Sequence, residues 1–166
     1  MSEIQTGTVR TKVPARLDRV DGSAGSQAAI RLAAQEARYR TAPLMAVMAY
    51  TGERTLGAPA TRPLATLRTA EEERILTDAT LRDLVRDALG AEADDVEYRA
   101  VAGVPGRALV GAARAADAQL VVLSTRGEAT ARMLGAVSQH VLRHAPCPVL
   151  VVPDSGKSLM NGETGA

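Results

Sequence analysis

The 166-residue chain contains no tryptophan and no phenylalanine, and it has only three tyrosines. Proteins that bind single-stranded nucleic acid commonly stack its bases on aromatic side chains, so this mode of binding is not expected here. Basic and acidic residues almost balance, with 20 Lys and Arg against 19 Asp and Glu, so no strongly basic field is available to attract a nucleic acid. We therefore expect no nucleic acid partner.

Cysteine and long apolar segments are also scarce. Cys147 is the only cysteine, so the chain has no internal disulfide framework and fits a reducing cytoplasm. No apolar run approaches the ~20 residues that a membrane-spanning helix needs. Residues 1–12 are polar and lack the apolar segment of a secretory signal. These features predict a cytoplasmic protein that does not bind membranes.

Apolar runs alternate with helical patterns along the chain, which predicts an α/β fold. Strands are predicted at residues 16–20, 43–50, 95–101, 120–123 and 148–152, and helices at 26–40, 67–89, 105–115 and 130–144. Five strands joined by right-handed helical crossovers give a doubly wound parallel sheet. The length favours one domain, at 16–153, with a flexible N-terminal arm at 1–15 and a disordered C-terminal tail at 154–166.

The turn after the predicted fourth strand has the character of a ligand site. Residues 124–127 read Ser-Thr-Arg-Gly and directly follow an apolar run. In open parallel sheets, ligands bind outside the carboxyl ends of the strands. Gly127 and Gly135 allow close approach of the backbone, and the amides at the start of the next helix attract an anion. The segment therefore predicts an anion-binding site.

The same segment resembles the universal stress protein family. The family pattern is an apolar strand, Gly-x-x-Gly, nine residues, Gly-Ser/Thr, and a helix that ends in His-Ala-Pro-Cys-Pro-Val. Here residues 135–138 read Gly-Ala-Val-Ser, residues 143–149 read Arg-His-Ala-Pro-Cys-Pro-Val, and residues 20–23 match the family's Val-Asp-Gly-Ser. The resemblance covers about residues 17–152. It implies a universal stress protein domain with a Rossmann-like adenine-nucleotide-binding fold and strand order 3-2-1-4-5.

The resemblance also implies the residues that bind ATP or another adenine nucleotide. Asp21 would lie near the ribose or its metal, and the main chain at Val47 would contact the adenine. The phosphate-binding positions that carry over from the family pattern are Arg126, Gly127, Gly135, Val137 and Ser138. A homodimer through the last strand is implied as well, and a partner would cover that apolar edge.

Two hypotheses for function remain open. In the first, the chain is a cytoplasmic stress-response protein whose bound nucleotide changes its dimer surface or its affinity for a partner. In the second, it is a nucleotide-free structural or partner-binding dimer of the same fold. Ser124 stands where the family has glycine, Ala136 replaces Ser/Thr, the loop is two residues shorter, and Arg19 precedes the predicted ribose-binding aspartate.

Enzymatic activity and metal binding are not expected. The chain has no nucleophile motif and no lysine-bearing phosphate loop. His140 and His144 are four residues apart, a spacing that places two imidazoles on one helix face and suits a metal. No third ligand has a suitable spacing, and the resemblance explains both histidines as part of the structural tail.

Overall fold

The computed structural model of the chain describes residues 11–16, 24–50, 69–124 and 134–153. The predictions for Asp21, Arg126 and Gly127, and for the tail at 154–166, lie outside these residues. Within the described ranges, no helix has the length and apolar composition required to cross a membrane.

Five strands form one parallel sheet. They are β1 (Thr11–Arg16), β2 (Leu44–Tyr50), β3 (Glu97–Ala102), β4 (Leu120–Ser124) and β5 (Val149–Val152). The order across the sheet is β3-β2-β1-β4-β5, with parallel pairing throughout. The chain order reverses between β1 and β4, and such a switch point opens a crevice at the carboxyl ends of the strands.

Helices cover both faces of the sheet. They are α1 (Ala24–Tyr39), α2 (Ala70–Leu89), α3 (Pro105–Ala115) and α4 (Ala136–His144), and a 3₁₀ turn at Gly90–Asp95 follows α2. One apolar core joins α1 and α2 to the sheet, and a second joins α3 and α4 to the opposite face. Because strand side chains alternate, β2 contributes Met48 to the first core and Val47 to the second.

The ends of α2 and α3 follow local capping rules. Glu72 N donates to Thr69 Oγ1 at 3.2 Å and Thr69 N donates to Glu72 Oε2 at 2.7 Å, which forms a capping box at the start of α2. Gly90, at φ 60°, ends that helix, as predicted, because a positive φ costs glycine little. Pro105 opens α3, also as predicted, since proline has no amide to leave unsatisfied there.

The first strand lies earlier than predicted. All six residues of β1 (Thr11–Arg16) pair with β2, so residues 11–15 belong to the sheet and not to a flexible arm. The predicted strand at 16–20 would have placed Asp18 and Arg19 in the middle of the sheet, where an unpaired charge is costly. That cost does not decide the position of the strand, because β1 itself contains Lys12, which pairs with Met45 of β2 and Val121 of β4. The six-residue ladder with apolar β2 decides it.

The last helix is shorter than predicted. It was expected from residue 130, but it begins at Ala136, and Gly135 precedes it with ψ 162°. That extended conformation makes Gly135 the N-cap, which glycine fills more readily than a helix interior. The correction moves the helix start directly onto the predicted phosphate-binding positions.

Candidate functional site

The start of α4 is an open helix N-terminus. Among the residues that the structure describes, no side chain caps it, and a Cβ built on Gly135 meets no heavy atom within 4 Å. The first amides of a helix have no intrahelical acceptor, and the helix dipole adds a positive partial charge at this end. This terminus therefore offers donors and charge to an anion.

The first turn of α4 is held in place by its own contacts. Gln139 N donates to Gly135 O at 3.0 Å, and Gln139 Nε2 donates to Leu134 O at 2.7 Å. Val137 packs against the apolar core below α3 and α4. Ser138 is 7% exposed. The structure thus brings three of the predicted site residues, Gly135, Val137 and Ser138, into a single helical turn.

A second part of the candidate site lies at the carboxyl edge of the sheet, where β2 and β3 end. Gly103 N donates to Tyr50 O at 2.8 Å, which ties the turn after β3 to the last residue of β2. Gly103 has a φ of 126°, a conformation that L side chains rarely adopt. Tyr50 and Gly103 were not among the predicted site residues, although the Gly-x-Pro turn at 103–105 was visible in the sequence.

Val47 lies further from the carboxyl edge of the sheet than the last residues of β2 and β3. It pairs with Pro14 of β1 and Arg99 of β3, and its side chain is fully buried in the α3/α4 core. β2 continues for three residues beyond it, so Ala49 and Tyr50 are nearer the carboxyl end. The position of Val47 shows a packing role for its side chain.

His140 and His144 form a stacked pair on α4. Their ring centroids are 4.3 Å apart at an interplanar angle of 23°, and His144 Nδ1 lies 2.8 Å from His140 O. Partial burial, with the neighbouring His144 and Arg107, holds the pKa of His140 below its ordinary value. No group of three His, Cys, Asp or Glu side chains within the described ranges is arranged to hold a metal.

Residues 19–153 match the sequence model of the Universal stress protein family. Universal stress proteins from two strains of Mycobacterium tuberculosis are 33% identical to the chain over 138 residues. The matched region is 81% of this chain and 46% of each relative. The chain thus spans about half the length of these relatives.

Two solved structures illustrate the similarity. A universal stress protein in complex with cAMP is 32% identical, with a TM-score of 0.58 over 87% of this chain and 95% of that one. The universal stress protein UspA of Lactobacillus plantarum is 24% identical, with a TM-score of 0.63 over 87% of this chain and 97% of that one. The second comparison supports the fold alone.

Proposed function

The chain belongs to the universal stress protein family, and we propose that it binds an adenine nucleotide at the carboxyl end of the sheet. The observation that carries this proposal is the open N-terminus of α4, which no described side chain caps and where a Cβ on Gly135 would meet no described atom within 4 Å. The relative in complex with cAMP supports the class of ligand.

The first turn of α4 supplies the phosphate contacts in this proposal. The amides of Ala136, Val137 and Ser138 donate to phosphate oxygens, and the hydroxyl of Ser138 is a further donor. Ala136 provides its amide only, because it has no hydroxyl. A single turn of helix can contact one phosphate group. The nucleotides to compare are therefore cAMP and AMP, which have one phosphate, and ATP, which has three.

Two substitutions at Gly135, to aspartate and to asparagine, test the proposal directly because these two side chains have the same shape. Aspartate and asparagine are both good N-cap residues, and a Cβ at this position meets no atom of the described residues within 4 Å. Gly135→Asp places a carboxylate where the phosphate would bind, whereas Gly135→Asn has the same shape without the charge. The measurement is isothermal titration calorimetry, in which both variants and the unmodified protein are titrated with cAMP, AMP and ATP.

We expect at least one of the three nucleotides to bind saturably to the unmodified protein. Gly135→Asp should weaken that binding by at least about tenfold more than Gly135→Asn does, because charge repulsion adds to the loss of space. Equal affinities for the two variants would place the phosphate elsewhere. A thermal unfolding curve for each variant checks that the fold is intact.

The proposed cellular role depends on nucleotide binding. We propose a cytoplasmic stress-response homodimer in which the bound nucleotide changes the dimer surface or the affinity for a partner. Strand β5 supports the dimer, because its four residues Val149–Val152 are apolar and lie at the edge of the sheet. An exposed apolar edge strand is a site of pairing with another chain.

A nucleotide-free dimer of the same fold is the second candidate. Ala136 favours it, since the hydroxyl that the family pattern places at this position is absent. One missing hydrogen bond to a charged group is worth about 1.5–3 kcal/mol, enough to weaken binding by more than tenfold. Absence of binding by all three nucleotides at millimolar concentration, with the dimer intact, would favour this candidate.

We also propose that the protein acts by binding and not by catalysis. The chain has no catalytic motif that would activate a water or a nucleophile. Incubation with ATP should therefore give no ADP beyond the uncatalysed background. Turnover that Asp21→Ala abolishes would overturn this proposal, whereas turnover unaffected by Asp21→Ala would indicate a contaminating enzyme.

A further inference from the structure

The layer formed by α3 and α4 exposes basic side chains that no described carboxylate neutralises. Arg107 and Arg114 extend from α3 and are exposed. Arg143 and His144 are exposed in the last turn of α4. From 103 to 118 and from 134 to 152, Asp117 is the only acidic residue. This side of the sheet therefore carries an excess of positive charge.

The opposite layer differs in its charges. Residues 24–41 and 69–96 contain six arginines and ten carboxylates, a net charge of −4. Four of those arginines form ion pairs within the layer: Arg38–Glu92, Arg40–Glu36, Arg74–Glu71 and Arg82–Asp78. Local ion pairs thus neutralise much of the charge in that layer. The arginines of α3, in contrast, form no ion pair with a carboxylate of the described residues.

Four groups form a continuous line, here called the basic seam: Arg107, Arg114, His140 and His144. The first turn of α3 touches α4 at His140, where a Cβ added to Gly106 would lie 2.9 Å from His140 Cβ. The two imidazoles stack at 4.3 Å. Arg114 Nη2 donates to His144 O at 3.2 Å. The basic seam therefore runs along the contact between the two helices.

The length of the basic seam indicates the form of its ligand. Arg107 and Arg114 are seven residues apart on α3, which is two helical turns, or about 10.5 Å. A helix that presents carboxylates at positions i, i+4 and i+7 has the same spacing along one face. One phosphate group is too short to contact both ends. The dimensions therefore match an extended ligand with several separated negative charges.

We propose that the basic seam binds a short acidic helix of a partner protein, with carboxylates that pair with Arg107 and Arg114 across the stacked histidines. A nucleic acid fits this surface less well. A duplex needs a longer basic track, and a single strand commonly also needs aromatic platforms for its bases, whereas the chain has a net charge of +1 and no Trp or Phe.

Binding to the basic seam should depend on pH. Among the described residues, the charged groups near the two histidines are Arg107 and Arg114 on α3 and Arg143 on α4 itself, while β5, which also packs on α4, has none. All of these groups are cationic, which disfavours protonation of His140 in the free protein. Carboxylates of a partner favour protonation, so protons and the acidic helix bind cooperatively.

The test uses a synthetic helical peptide of about 15 residues with glutamates at i, i+4, i+7 and i+11, and a second peptide with glutamine at those positions. Binding is measured by fluorescence anisotropy at about 50 mM salt, where surface charges are weakly screened. The variant is Arg107→Gln/Arg114→Gln. Its matched control is Arg31→Gln/Arg38→Gln, which removes two arginines at the same seven-residue spacing from α1 in the opposite layer.

The glutamate peptide should bind saturably and at least about fivefold more tightly at pH 6 than at pH 7.5, because its carboxylates favour protonation of His140. The Arg107→Gln/Arg114→Gln variant should bind it about tenfold more weakly, while the α1 control stays within about twofold. His140→Gln should reduce the pH dependence.

Three results would overturn the proposal. They are equal binding of the glutamine peptide, no binding at either pH, and the same loss of affinity in the α1 control. Tighter binding of a short DNA duplex, lost in the Arg107→Gln/Arg114→Gln variant, would assign the basic seam to nucleic acid instead.

Discussion

Gly106 of α3 lies directly against the side chain of His140 on α4. A Cβ added to Gly106 would lie 2.9 Å from His140 Cβ and 3.0 Å from both Cγ and Cδ2 of the imidazole. Separations under 3 Å are too short for two carbon atoms in ordinary packing. The two helices therefore approach each other through a position that has room for glycine only.

Gly106→Ala should destabilise the protein because the added methyl group forces α3 away from α4. We expect a loss of about 1–3 kcal/mol in the free energy of unfolding, measured by urea denaturation. Gly111→Ala is the matched control, since Gly111 lies on the same helix and a Cβ there meets no atom from other described parts of the chain within 4 Å. The control should gain about 0.5–1 kcal/mol. Equal effects of the two substitutions would show that the close contact does not contribute to the free energy of unfolding.

Thr69→Ala should weaken the start of α2, because it removes the hydroxyl that accepts from Glu72 N. The expected cost is about 1 kcal/mol, and Thr69→Ser should retain most of the stability because serine caps equally well. Thr80→Ala serves as the control, since the Thr80 hydroxyl only donates to Leu76 O within the same helix. That control should be neutral or slightly stabilising. Chemical denaturation of the three variants gives the comparison.

The proposed homodimer leads to a prediction at Val151. Val121 N donates to Pro148 O, and in a parallel ladder this places the main-chain groups of Val149 and Val151 on the side of β5 away from β4. Val151→Pro therefore removes an outward donor and should break pairing with a second copy, while β4 pairing remains. Sedimentation velocity should show a dimer for Val151→Ala and a monomer for Val151→Pro. A dimer that persists in Val151→Pro would exclude pairing through this edge.

Acidification should destabilise the protein through His140. The fold holds the pKa of His140 below its ordinary value of 6.5 through partial burial and the nearby His144 and Arg107. The unfolded chain therefore binds the proton more readily, and stability falls as pH drops through 6.5, levelling off below the folded pKa.

The measurement for His140 is the free energy of unfolding between about pH 7.5 and pH 5. His140→Gln should flatten the decline relative to the unmodified protein. His144→Gln should flatten it only in part, because burial and Arg107 continue to act on His140. An unchanged slope in His140→Gln would assign the decline to other groups.

Predictions from local sequence were accurate where one short segment sets the structure. Gly90 ends α2 and Pro105 opens α3, because a positive φ and a missing amide act within one turn. Predictions failed where a distant pairing decides. β1 lies at Thr11–Arg16 because it pairs with β2 over six residues, and a pattern within residues 16–20 contains no information about that ladder.

The candidate site divides in the same way. Gly135, Val137 and Ser138 were named from the family pattern, and the structure places them in the first turn of α4. The open space around Gly135 was not predictable, since it depends on which atoms other segments bring near it. The burial of Val47 likewise depends on strands and helices from distant parts of the chain.

The sequence alone determined the alternation of strands and helices, the membership of the universal stress protein family, the end of α2 at Gly90 and the start of α3 at Pro105. These features depend on neighbouring residues, whose apolar spacing and backbone preferences act within a few positions. Only the tertiary structure decided the strand that pairs with β2, the contact of Gly106 with His140 and the line of basic groups between α3 and α4. Those features arise from segments tens of residues apart, and only the packing of both faces of the sheet brings them together.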